Sequence, residues 1–130
     1  MISYAGRGLT KPTPGIRDLP MTISIPQARQ QIIETPHGQA LGSSYRWSGG
    51  QYCAIHTARG FIGCGIYDVH VAGEFGIVVA IAKGTPAKPL CEPEDLYEAK
   101  IVEASEPAKK LGIVPGMTGL EALGKLLASG

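Results

Sequence analysis

The sequence predicts an α+β fold, a mainly antiparallel sheet of four or five strands with short helices packed on one face or end. The chain has 18 glycines and 10 prolines in 130 residues, which favours short elements joined by tight turns. Between residues 39 and 66, three runs with the alternation typical of strands are separated by glycine-containing turns, the pattern of an antiparallel meander. Serine and threonine in capping positions near the carboxyl end predict short helices.

The length and composition are those of one globular domain. A chain of 130 residues with 44% hydrophobic and 18% charged residues can bury one core. Residues 1–20 contain three prolines and three glycines without apolar periodicity, which predicts a poorly ordered extension. Residues 21–130 are then expected to form a single α+β domain.

The strands are predicted from alternation along the first half of the chain. Residues 28–34 indicate a short strand or one helical turn. Residues 39–47 alternate cleanly, Ser48-Gly49-Gly50 supplies a hairpin turn, and residues 51–57 return as a second strand. A further strand is predicted over residues 61–66, after a turn that ends at Gly60.

Helix caps organise the second half. Asp68 is a suitable N-cap for a short helix to about residue 75, which Gly76 would end. Residues 77–82 are apolar on both faces, which is typical of a central strand covered on both sides.

The last third predicts a helical turn, a strand and two helices. Residues 94–98 favour a helical turn and residues 100–103 a strand. Ser105 caps a short helix, and Thr118 with Glu121 forms a capping box that opens a final helix to about residue 128.

Two segments resemble a known family. These are residues 49–68 (GGQYCAIHTARGFIGCGIYD) and residues 108–123 (AKKLGIVPGMTGLEAL), which resemble the YunC-like family of small uncharacterised bacterial and archaeal proteins. The resemblance spans roughly residues 28–128. It implies a compact α+β domain whose N-terminal sheet region mediates oligomer formation, without an established activity. Residues 1–20 lie outside this pattern.

Cys64 is the candidate nucleophile. It is predicted at the end of a strand, between Gly63 and Gly65 and shortly before the helix capped by Asp68. Backbone N–H groups at a helix N-terminus stabilise a thiolate. His56 is the candidate base, and Asp68 completes the candidate catalytic set.

Other interpretations of these residues remain open. His37 or His70 is an alternative base, because sequence does not show which histidine is near Cys64. Cys64 would be inert and buried if it shared an apolar strand face with Ile62 and Ile66.

The same region contains a glycine pattern and a set of cysteines and histidines that are candidate ligand sites. Gly60-x-x-Gly63-x-Gly65 weakly suggests anion binding, which makes Gly63 and Gly65 candidate binding residues, although the spacing matches no phosphate-binding motif. A metal site would need Cys53, His56, Cys64 and His70. Because Cys53 and His56 are three residues apart on a predicted strand, they point to opposite faces, so neither a metal nor a cofactor is expected.

The first hairpin is the candidate interface. Tyr45, Trp47 and Tyr52 flank its turn, and aromatic side chains are enriched in interface cores. The alternative is that these rings pack into the domain's own core. Together with the resemblance, they predict a homo-oligomer.

Charge and hydropathy exclude several classes. A net charge of +1 without a basic cluster larger than Lys109-Lys110 argues against nucleic-acid binding. The longest wholly apolar run, residues 77–82, is too short to span a bilayer, so no membrane partner is expected. Three cysteines without disulfide spacing indicate a reduced, cytoplasmic protein.

The sequence does not specify a reaction or a small-molecule ligand. The predicted function is assembly or binding as a homo-oligomer, and the alternative is a small thiol-dependent enzyme that uses Cys64 with a nearby histidine.

Overall fold

The computed structural model describes residues 25–85 and 87–128, so the extension predicted over residues 1–20 lies outside the described residues. The strands are β1 (Gln27–Thr35), β2 (Gly38–Trp47), β3 (Gly50–His56), β4 (Gly60–Gly63), β5 (Val78–Lys83) and β6 (Lys100–Ala104). The α-helices are α1 (Val69–Glu74), α2 (Glu106–Lys110) and α3 (Gly119–Ala128), and Pro93–Leu96 forms a 3₁₀ turn.

One mixed sheet contains all six strands in chain order. Strands β2 to β4 form the predicted antiparallel meander, which β1 extends by one antiparallel strand. Strands β4 and β5 pair in parallel, and β5 and β6 are antiparallel. The α+β class is confirmed, but the sheet has six strands rather than four or five, and one of its pairings is parallel. The helix α1 makes the crossover that a parallel pair requires. The ambiguous segment at residues 28–34 becomes a strand because β1 pairs with β2 along nine residues.

The register divides the sheet into two unlike faces. One face, which we call the helix-covered face, carries Ile55 and Ile62, both fully buried, beneath Leu123 of α3. The second face carries Val79 and Ile81 of β5 under the helix α1. Helices therefore lie on both faces of the sheet, rather than on one face or end as predicted.

The rest of the second face, over β1 to β4, is what we call the open face. Its residues share a register that alternates with the helix-covered face; they are Ala28, Gln30, Ile32, Glu34, Gln39, Leu41, Ser43, Tyr45, Trp47, Gly50, Tyr52, Ala54, His56, Phe61 and Gly63. Of the α-helices described, only α1 packs on this side, and it does so at β5. The strands β1 to β3 are thus left uncovered by helices on this face.

Strand β4 ends at Gly63, three residues before the predicted end. A Cβ built at Gly63 would lie 2.4 Å from ring carbons Cδ2 and Cε2 of Tyr67. The chain therefore turns after Gly63 and folds Tyr67 back over the strand. Ile66 is consequently 59% exposed and does not share a strand face with Ile62 and Cys64.

The predicted helix caps are confirmed. The Asp68 carboxylate accepts the backbone N–H groups of His70 and Val71 at 2.8 and 3.2 Å. Thr118 and Glu121 form the capping box of α3. The part of the chain that the structure describes contains no helix that is long and apolar enough to cross a membrane.

The Ser105 side chain joins α2 to the sheet. Its hydroxyl donates to the Ile77 carbonyl at 2.8 Å and accepts the Val79 N–H at 3.1 Å. The same oxygen accepts the Ala108 N–H and so caps α2. One buried hydroxyl thereby satisfies three backbone groups where β5 meets the helix.

Candidate functional site

The candidate site lies at the carboxyl end of β4, where the sheet changes from antiparallel to parallel pairing. Cys64 is the first residue after this strand. The carboxyl ends of parallel strands are where open sheets commonly bind ligands, because the connections leave a crevice there. The site is therefore built around Cys64 and the residues that face it.

Cys64 lies directly opposite Cys53. The β3–β4 register pairs Ala54 with Gly63, and its next step pairs Cys53 with Cys64. The Cys64 N–H donates to the Cys53 carbonyl at 3.2 Å, which shows that the pairing continues past the strand end. The two thiols differ in access, since Cys64 is 9% exposed and Cys53 is fully buried.

The environment keeps the Cys53 thiol protonated. Burial raises the pKa of Cys53 far above its ordinary value, and the nearby Cys64, Asp95 and Cys91 raise this pKa further. Because the thiolate is the reactive form, a buried thiol of this kind reacts slowly with reagents from solvent. Of the facing pair, Cys64 is thus the thiol that a reagent would reach first.

The third cysteine, Cys91, also belongs to this end of the sheet. The Gln51 side-chain amide donates to the Cys91 sulfur at 2.7 Å, and the Cys91 N–H donates to the Asp95 carboxylate at 3.0 Å. Cys91 is buried in this setting. The contact between Gln51 and Cys91 joins residues 40 positions apart, so no local sequence signal indicates it.

His56 is not placed beside Cys64. Its ring stacks on Phe61 with centroids 4.9 Å apart, on the open face, whereas Cys53 is on the helix-covered face. Burial lowers the pKa of His56, which favours the neutral ring. The candidate nucleophile and base therefore sit on opposite faces of the sheet.

The other two histidines occupy the surface. His37 lies in the β1–β2 turn, where its Nε2 would be 3.0 Å from a Cβ built at Gly124 of α3. His70 is exposed on α1. His37 therefore lies against α3 from the β1–β2 turn, and His70 lies on the exposed surface of α1.

Asp68, Gly63 and Gly65 have identifiable structural settings. The Asp68 carboxylate is engaged by the backbone of α1 as its N-cap. Gly63 is required by the Tyr67 ring above it, whereas a Cβ at Gly65 would meet nothing within 4 Å. Gly65 thus leaves the backbone after Cys64 uncrowded.

A row of rings crosses the open face, and we call it the aromatic row. Tyr45 stacks on Tyr52 with centroids 4.6 Å apart, and Trp47 meets the edge of Tyr52 at 5.8 Å. Tyr67 contacts Tyr52 at 6.0 Å and Phe61 at 5.0 Å, both edge to face. The sequence analysis found Tyr45, Trp47 and Tyr52 but missed Tyr67, which reaches the row only through the turn after β4.

The aromatic row and the thiols are neighbours. Burial raises the pKa of Tyr67, and Cys64, Tyr52 and Tyr45 contribute to the same shift. Tyr67 is therefore neutral and half-buried between the thiol end of the sheet and the open face. It links the two candidate regions physically.

Ser43 is an unusual member of the open face. It is 1% exposed, and its hydroxyl has no hydrogen-bond partner among the described residues. A buried hydroxyl without a partner costs about 1–3 kcal/mol.

Across residues 25–85 and 87–128, no three His, Cys, Asp or Glu side chains form a group that could hold a metal ion. Cys53 and His56 lie on opposite faces of β3, as strand alternation predicts. The chemistry that the site offers is that of thiols and aromatic surface.

These features define a small α+β domain with paired thiols at one end of a mixed sheet and an open aromatic face. Residues 63–126 match DUF1805, a domain of unknown function. A similar solved structure is a protein of unknown function from Thermoplasma acidophilum, with 24% identity and a TM-score of 0.68 over 80% of this chain and 97% of that one. At this identity the likeness shows the fold alone. No curated protein matches the chain.

The matched segment begins at Gly63 and runs into α3, so it includes Cys64 and excludes β1 to β3. The resemblance in the sequence implied a family without an established activity, and both matches are to proteins of unknown function. The strands that carry Tyr45, Trp47 and Tyr52 lie outside the family match but within the extent of the fold.

Proposed function

We propose that this domain functions as a homo-oligomer assembled through the open face of its sheet. The observation that carries the proposal is the partial exposure of Tyr45, Trp47 and Tyr52 on a face that no α-helix described over β1 to β3 covers. Trp47 alone is 37% exposed. Aromatic side chains of this kind are the anchors that carry most of the energy of interfaces.

The charge distribution supports this face as a contact surface. Arg29 and Arg46 alternate onto the other side of the sheet, and Glu34, at one end, is the charged residue that β1 to β4 place on the open face. The cores of homodimer interfaces are similarly depleted of charge. Ile32, which is 65% exposed opposite Leu41, extends the apolar surface toward the edge strand.

A second copy of the chain is the proposed occupant. A face with almost no charge can meet itself about a twofold axis without placing like charges together, and a twofold contact uses the same patch on both subunits. The resemblance to YunC-like proteins, whose sheet region is implied to mediate oligomer formation, supports the same assignment.

The test is the mass of the purified protein in solution. Light scattering at micromolar concentration is expected to give a mass that is a multiple of the 13.6 kDa chain. Trp47→Ala should shift the population toward monomer, because it removes the most exposed ring of the proposed contact. Phe75→Ala is the matched control, since Phe75 is an aromatic residue 77% exposed at the end of α1, outside strands β1 to β4.

A wild-type protein that is monomeric at these concentrations would refute the proposal. Equal masses for wild type and Trp47→Ala, with Phe75→Ala dissociated, would instead place the contact at α1.

A further inference from the structure

The facing cysteines have a geometry that the assembly proposal does not use. Residues directly opposite each other in an antiparallel pair have Cα atoms about 4.5–5.5 Å apart. A disulfide needs Cα atoms about 4.4–6.8 Å apart. Extending the β3–β4 register by one residue sets Cys53 opposite Cys64, and the Cys64 N–H donates to the Cys53 carbonyl at 3.2 Å. The Cα spacing of such a pair falls within the range of a disulfide.

The remaining adjustment concerns the side chains. Directly opposite Cβ atoms lie about 4.5–5.5 Å apart, and a disulfide draws them to about 3.5–4.5 Å. Cys64 is the first residue after β4, and a Cβ at the next residue, Gly65, would meet nothing within 4 Å. The disulfide therefore requires the Cβ atoms of Cys53 and Cys64 to approach by about 1 Å.

We propose that Cys64 and Cys53 form a redox-active thiol pair that a hydroperoxide oxidises to an intramolecular disulfide. Cys64 is 9% exposed and Cys53 is fully buried, so the two thiols have different roles. Cys64 reacts with the oxidant, and Cys53 then reacts with the sulfenic acid formed at Cys64. A small oxidant such as hydrogen peroxide suits the narrow access to Cys64.

The reaction has two balanced steps. The Cys64 sulfur attacks one peroxide oxygen, the O–O bond breaks, and the other oxygen leaves with a proton as water or an alcohol, which yields a sulfenic acid. The Cys53 sulfur then attacks the Cys64 sulfur, the S–O bond breaks, and the leaving hydroxide takes the Cys53 proton to form water. Two thiols are oxidised, and one hydroperoxide is reduced.

Cys91 provides the matched control. It is buried to a similar degree, at 8% exposure, but its sulfur accepts a hydrogen bond from Gln51 and it is not the cross-strand partner of Cys53. A general effect of oxidant on buried thiols would involve Cys91 as readily as Cys64. The proposed pairing would leave Cys91 reduced.

The experiment uses the full chain, reduced and then freed of reductant, with hydrogen peroxide as the probe. The number of thiols titrated after denaturation should fall from three to one, and the intact mass should fall by that of two hydrogen atoms. Peptide mapping should join Cys53 to Cys64, and dithiothreitol should restore three thiols. Cys91→Ala should form the same disulfide, whereas Cys64→Ala should form none.

Cys53→Ala gives a second readout that does not depend on the disulfide. Without the resolving thiol, the Cys64 sulfenic acid should accumulate and be trapped by dimedone at that residue. Retention of three thiols in excess peroxide would overturn the proposal. A disulfide mapped to Cys91, or one abolished by Cys91→Ala, would do the same.

Discussion

Substitution of Gly63 by alanine tests the packing that shapes the candidate site. The new Cβ would lie 2.4 Å from two ring carbons of Tyr67, so the ring must retreat by about 1 Å to reach ordinary contact at 3.4 Å. That movement disturbs the edge-to-face contacts of Tyr67 with Phe61 and Tyr52. Overpacking of this kind typically costs about 1–3 kcal/mol, and we expect a loss near ~2 kcal/mol in the free energy of unfolding.

The assay is urea denaturation monitored by circular dichroism, with the midpoint and slope compared between variants. Gly65→Ala is the matched control on the other side of Cys64. Because its Cβ would meet nothing within 4 Å, it should be neutral or stabilising by up to ~1 kcal/mol.

A double mutant isolates the clash itself. In a Tyr67→Ala background, Gly63→Ala should cost less than ~0.5 kcal/mol, because the ring that it displaces is gone. If Gly63→Ala is as costly in that background as in the wild type, or no more costly than Gly65→Ala, the Tyr67 ring is not what makes Gly63 necessary.

Two further predictions concern the open face. In urea denaturation, Ser43→Ala should be neutral or stabilising, since it removes a buried hydroxyl that has no partner in the described chain. Ser105→Ala should cost ~1–3 kcal/mol in the free energy of unfolding, because its hydroxyl bonds backbone groups at 2.8 and 3.1 Å. Equal losses of stability in the two variants would contradict this prediction. For His56, burial lowers the folded pKa below 6.5, so the unfolded chain takes up the proton first and stability should fall as pH drops through about 6.5. Thermal denaturation across this range should show a shallower fall for His56→Gln than for His70→Gln, and identical profiles would contradict a buried, neutral His56.

Local chemistry explains which elements the sequence predicted well. Asp68 and Ser105 cap their helices through bonds to residues two or three positions away, so the relevant atoms lie within one short segment. Thr118 and Glu121 form their capping box in the same way. The alternation of residues 39–47 placed Tyr45 and Trp47 on one face before their pairing was known. These features depend on neighbours along the chain, which a sequence displays directly.

Pairing explains the errors. The run at residues 77–82 indicates a buried strand, but an apolar run on both faces carries no information about the direction of its partner, and β5 pairs in parallel with β4. The end of β4 was misplaced because Tyr67 folds back over Gly63. Both outcomes depend on residues that approach only when the chain turns.

The sequence by itself determined the α+β class, the caps of the helices and the placement of Tyr45 and Trp47 on one strand face. Only the tertiary structure decided that Cys53 faces Cys64, that Gln51 reaches Cys91 across 40 positions, and that His56 lies on the other side of the sheet. The physical reason is the separation along the chain over which each interaction acts. Capping and alternation act over two to four residues, whereas register is set by burying one whole face of a strand against partners elsewhere in the chain.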